Sequence, residues 1–170
     1  MKSYAPFFEW SDKPQKEVGV AEHLVAYINR ERGFGWHSLK PQQPDPPDCI
    51  CSDPSGAHIA IEVAEVVCSV AAARTARGEN VMRRWQPGDA AAHIRGLLLK
   101  KDGKQYLGGP YKEVVACLFT DEFDLDFEEL REELKNERFG PMRQISSAYL
   151  VFSYSAQSQG YPVLPLEVAA

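Results

Sequence analysis

A chain of 170 residues, 44% hydrophobic and 25% charged, has the size and composition of one globular domain, long enough to bury about two-thirds of its unfolded surface. No apolar run approaches the roughly 18 residues that span a bilayer, and Met1 to Pro6 lack the apolar stretch of a signal peptide, so a cytoplasmic protein with no membrane partner is expected. The net charge of −5 is uneven: eight acids and one base between 121 and 133 carry −7 and leave the remainder at +2, so uniform acidity is excluded.

Residues 1–14 set Phe7, Phe8 and Trp10 among prolines and read as an arm packed on the domain. Val18, Ala21, Leu24, Val25 and Ile28 recur at helical spacing and predict a helix over 15–32, with Gly33 as its stop. Gly35–Lys40 fits a short strand, and Pro41 to Pro47 a rigid extended linker. A β-hairpin follows. Its strands run from Pro47 to Ser52 and from His58 to about Cys68, and Asp53-Pro54-Ser55-Gly56 forms the turn. Residues 69–88 are ambiguous, a helix and a loop. Asp89 would cap a helix over 90–102 that buries Ala91, Ile94, Leu97 and Leu98 and stops before Gly103 and Gly108-Gly109-Pro110. Val114–Phe119 is a buried strand, and Phe123, Phe127, Leu130 and Leu134 predict a helix over 122–137. Tyr149–Ser153 and Pro162–Val168 are further strands. The sum is an α/β domain over 1–170 with an antiparallel hairpin inside it.

Asp48 and Glu62 stand out. A turn centred near Ser55 puts them opposite each other, with Cβ atoms about 4.5–5.5 Å apart. Two acids at that spacing repel unless a cation joins them, and hard divalent cations take carboxylate oxygens. The hairpin therefore suggests a metal site and hydrolysis. The plainer alternatives are that Asp48 caps a strand start and that Glu62 faces solvent at a sheet edge. Cys49, Cys51, Cys68 and Cys117 read as buried thiols, since zinc would need two ligands beyond Cys49 and Cys51 and only His58 is near. His23, His37 and His93 are assigned to packing. There is no Gly-rich phosphate loop and no nucleophile elbow. Eight bases lie between 74 and 104. Arg74, Arg77, Arg83 and Arg84 are candidates to track a nucleic-acid backbone, or else belong to a salt-bridged surface.

The order helix, three strands, helix, strand, with Pro47-Asp48 opening one strand and Ile61-Glu62-Val63 in the next, resembles the PD-(D/E)XK (restriction-endonuclease-like) superfamily. The resemblance covers residues 15–120, with 121–170 supplying a helix and added strands. It implies an α-β-β-β-α-β core whose mixed central sheet is flanked by helices. It also implies a nuclease or phosphodiesterase acting on DNA or RNA with Mg²⁺ or Mn²⁺. Asp48 and Glu62 then match the family's metal-holding acids, and Glu22 its helix-one Glu. The family's Lys falls on Ala64. Some members take it from the following helix, where Lys101 and Lys104 lie three apart, as on one face. Glu65 is a further candidate if a bulge turns it inward, and otherwise a surface or ion-paired residue. A nuclease domain of this size also implies a targeting partner, either a second copy in a homodimer or another protein, and the acidic helix at 122–137 would suit a basic one. The alternative is a degenerate member that keeps the fold and binds a protein or nucleic acid without catalysis.

Overall fold

A computed structural model describes residues 12–68, 77–78, 85–122 and 124–170. The first helix, α1 (Lys13–Arg32), starts two residues before the expected point because Asp12 caps it, accepting a hydrogen bond from the Gln15 N–H at 2.8 Å. It ends at Gly33, whose φ of 63° is open to glycine without strain and whose N–H bonds the Asn29 carbonyl. Val20, Ala21, Leu24 and Ile28 form its buried stripe. The Asn29 amide then clamps the Trp36 backbone from both sides, donating to its carbonyl and accepting from its N–H, and so fixes the path into the sheet.

Strands β1 (His37–Pro41), β2 (Cys49–Ser52) and β3 (His58–Glu65) form an antiparallel meander. The β2–β3 register runs from Cys49 opposite Ile61 to Ser52 opposite His58, which is the pairing of a turn centred on residue 55. Asp53 holds that turn by accepting from the N–H groups of Ser55 and Ala57 and the Ser55 hydroxyl. Residues 42–48 are the closed loop of the β1–β2 hairpin rather than an extended linker. The Gln42 N–H reaches the Asp48 carbonyl at 3.0 Å and continues the pairing of Pro41 with Cys49. Strand β3 stops at Glu65, not Cys68: the Val66 N–H still bonds the Phe119 carbonyl, but the Cys68 N–H goes to the Glu122 side chain.

Helix α2 (Asp89–Asp102) buries Ala91, Ile94 and Leu98 of the expected face and Ala90 besides, while Leu97 is half-buried. Asp89 is its first residue rather than its cap, and takes a hydrogen bond from the Gln86 N–H. Strand β4 (Glu113–Thr120) follows, then α3 (Phe127–Leu134), which is shorter than the expected 122–137. Asp126 starts α3 by accepting from the N–H groups of Glu128 and Glu129. Strands β5 (Ile145–Phe152) and β6 (Val163–Leu166) complete the chain. The 1–14 arm, the 69–88 segment and Phe123 fall wholly or largely outside the described residues.

The six strands make one mixed open sheet in the order β1-β2-β3-β4-β5-β6. β3, β4 and β5 run parallel and the remaining neighbours are antiparallel. Side chains alternate across it. Ile59, Ile61, Val63, Val115, Cys117 and Val151 pack under α1. Ala60, Ala116, Leu118, Ala148 and Leu150 pack under α2 and α3. The molecule is thus a three-layer α/β/α arrangement with a core on each side of the sheet. Among the described residues no helix is long and apolar enough to cross a membrane.

Candidate functional site

Strand alternation puts the even-numbered residues of β2 and β3 on the α2 side of the sheet, where Ala60 and Ala64 also pack. Glu62 therefore points into that layer and is 0% exposed, which removes the solvent-facing alternative for it. Asp48 sits one residue before β2, where strand pairing ends. Its Oδ2 accepts the Val63 N–H at 2.7 Å and replaces the missing strand bond. A buried carboxylate in the middle of an apolar strand is costly unless paired. Glu62 is paired twice on one atom: Oε1 accepts from Lys101 Nζ at 2.6 Å and from Lys104 Nζ. Lys101 Nζ also lies 3.9 Å from Asp48 Oδ2. The second oxygen, Glu62 Oε2, is buried and has no hydrogen-bond partner.

The end of α2 delivers the two lysines. Lys101 is on the last turn, but Lys104 lies beyond the terminal residues Asp102 and Gly103, so the two do not share a helix face. A turn brings them together, with the Lys104 N–H on the Lys101 carbonyl at 3.1 Å. Buried Asp102 anchors this turn by accepting from the N–H groups of Arg143, Gln144 and Ile145 at the start of β5. The Gln144 amide returns two bonds, to the carbonyls of Asp102 and Lys104. The Tyr106 hydroxyl donates to the Lys101 carbonyl.

A third acid completes the cluster. Oxygens of Asp45, Asp48 and Glu62 all lie within 4.8 Å of one another, with Asp45 on the exposed side and 4.0 Å from Lys104 Nζ. Burial, and then the charge of Glu62, push the Asp48 carboxyl up to about 6 against the opposing Val63 N–H and Lys101. Burial disfavours the charge on Lys104, but its bond to Glu62 and the nearby acids outweigh this and hold its pKa above the usual lysine value.

The remaining expected residues fall differently. Glu22 is exposed on α1 beside Val18, Gly19 and Pro41, outside the acidic cluster. The α1 acid whose charge adds to the upward push on Asp48 is Glu17. Glu17 shares a cleft of about 200 Å³ with Lys13, Lys16, Val63, Ala64, Glu65 and Lys101. Glu17 lies three and four residues before Val20 and Ala21, which is the sequence signal for it. Glu65 lines that cleft as an ion pair with Lys16 at 3.4 Å. Arg74, Arg83 and Arg84 lie outside the described residues, and Arg77 is exposed. On α3, Glu128 pairs with Arg131 and Glu132 with Lys135, so part of the acidic face is locally compensated. Cys49 and Cys51 face the α1 core, where burial pushes both thiols up to about 12, and His58 instead meets Ser52. Both are buried packing residues whose thiols burial keeps protonated.

No protein-family model matches the chain, and no curated protein and no solved structure matches it. The donor set itself suits a hard divalent cation. It offers only carboxylate oxygens, and one of them is buried and unpartnered.

Proposed function

We propose that this chain is a divalent-metal-dependent phosphodiesterase or nuclease of the PD-(D/E)XK kind, acting on DNA or RNA. The observation that carries this is the convergence of Asp48, Glu62 and Lys101 in one buried corner of the sheet, with Glu62 Oε2 lacking any protein partner. The strand order and the helices on both faces are consistent with a restriction-endonuclease-like core. Asp48 and Glu62 would hold Mg²⁺ or Mn²⁺. Bound there, the ion would polarise a phosphate oxygen and supply hydroxide near neutral pH. Lys101, paired with Glu62 and lining the cleft, would stabilise negative charge developing on the phosphate, the part that Ala64 cannot play. Glu17, Lys13 and Lys16 line the approach past Ala64.

One observation favours a second reading. Two ammonium groups already rest on Glu62 Oε1, as in a module that has replaced its metal with lysines and binds a protein or nucleic acid without cleaving it. A calorimetric Mn²⁺ titration of the wild type beside Asp48→Ala/Glu62→Ala, followed by cleavage assays on DNA and RNA, separates the two. Saturable binding lost in the double variant, with cleavage that Lys101→Met abolishes, supports the nuclease. Binding without cleavage supports a retired or partner-dependent metal site. No binding makes the acids structural and favours the module in which lysines stand in the metal's place.

A further inference from the structure

The loop at 42–48 and the turn after α2 are built against each other. The loop is closed by the Gln42 N–H on the Asp48 carbonyl and is pinned from outside by the Leu107 N–H on the Pro46 carbonyl at 2.9 Å. At Gly108, φ is 78°, a conformation that favours glycine, and the tip of the Gln42 side-chain amide packs against it, 2.8 Å from where a Cβ would stand. This docking brings Asp45 and Lys104 to the same corner. Asp45 is thus held between two backbone pins and is not a stray surface acid.

We infer that Asp45 is a third carboxylate ligand of the divalent-cation site and that Lys104 is the ammonium that gives up its place when the cation enters, while Lys101 stays. This rests on the metal-site part of the proposed function. Charge supports the division. The three carboxylates exceed the two ammonium groups by one negative charge, and a divalent ion added to both lysines would leave the corner positive. Exchange of one lysine for the ion brings the corner to neutrality. Lys104 is the one suited to leave. It lies past the helix end, is twice as exposed as Lys101 (29% against 14%), and touches the outer acid, Asp45. Lys101 is fixed on the helix between both inner acids and lines the cleft. The buried, unpartnered Glu62 Oε2 is the independent sign that the protein leaves a donor for something else.

The test is Mn²⁺ affinity by titration calorimetry on the full chain, with thermal melts as a folding control. Asp45→Asn, an exposed isosteric change, should melt like the wild type and bind Mn²⁺ at least about tenfold more weakly. Lys104→Met should bind more tightly than the wild type. Repeating both at about 0.5 M NaCl weakens the through-space part, which reaches the ion from the exposed Asp45, more than it weakens direct ligation. The Asp45→Asn deficit should persist. A deficit that collapses to within about twofold at high salt, or a Lys104→Met protein that binds more weakly, overturns the inference. Asp48→Asn losing binding while Asp45→Asn keeps it overturns this inference alone. A wild type that takes up no Mn²⁺ overturns both it and the proposed function.

Discussion

At the scale of single residues, Asp48 carries the clearest pH signature. Its carboxyl is raised from 3.8 to about 6, chiefly by burial and then by Glu62. The native protein therefore keeps a proton that the unfolded chain releases as pH rises from about 4 to 6, so the native state loses stability across that window and levels off above it. In the metal-free protein, Asp48→Asn should abolish this decline. Urea denaturation at a series of pH values reads it directly, and parallel curves for the two proteins would remove Asp48 as the cause. Mn²⁺ affinity should change the other way, rising with pH through about 6, because only the carboxylate binds a cation. The Asp48–Glu62 opposition was legible in the sequence, since an Asp-Pro-Ser-Gly turn fixes a hairpin register and register fixes faces. The lysines were legible because Ala64 left a chemical gap. The sequence suggests Glu22 as the α1 acid of the site, whereas the α1 acid whose charge acts on Asp48 is Glu17; both flank the same helical stripe, and which end of α1 overhangs the cleft is a tertiary fact. Asp45 was hidden because nothing local says that a proline run closes into a loop.

At the scale of elements, the turn after α2 depends on Asp102, a charged residue at a buried position of a helix end. Its carboxylate satisfies three consecutive backbone donors of the segment entering β5. Burial works to raise its pKa, but these N–H bonds prevail and lower it, so the stability it lends is lost as pH falls through that depressed value, below 3.8. Asp102→Ala strands the donors and should cost about 2–4 kcal/mol in urea denaturation at neutral pH. Asp102→Asn, which keeps a carbonyl oxygen, should cost less. A loss under about 0.5 kcal/mol for the alanine variant would mean that water replaces the carboxylate without penalty. Helical periodicity found α2 to within one residue, because its apolar stripe is uninterrupted. It overextended the acidic helix, because Asp126 caps α3 by a local side-chain bond that competes with continued helix.

Across the whole molecule, β3, β4 and β5 are covered on both faces, by α1 on one side and by α2 and α3 on the other. Their amides should therefore exchange only through global unfolding, while those of the edge strands β1 and β6 exchange sooner. Val63 is the exception that links the core to the site. It sits in the central sheet, yet its N–H is held by the Asp48 side chain rather than by a strand carbonyl. In the wild type, Val63 should be protected about as well as Val115 and Cys117 on the adjoining strand. Asp48→Ala removes the acceptor at the point where β2 has ended, and should lower protection at Val63 far more than at those two. Native-state hydrogen exchange followed by NMR resolves the three amides separately. A uniform drop would mean that Asp48 acts only on global stability. Unchanged protection at Val63 would mean that another acceptor takes the bond. A selective loss would make the Asp48 carboxylate the closure of the sheet at this corner, so that any change at Asp48 would also have to supply a partner for the Val63 amide.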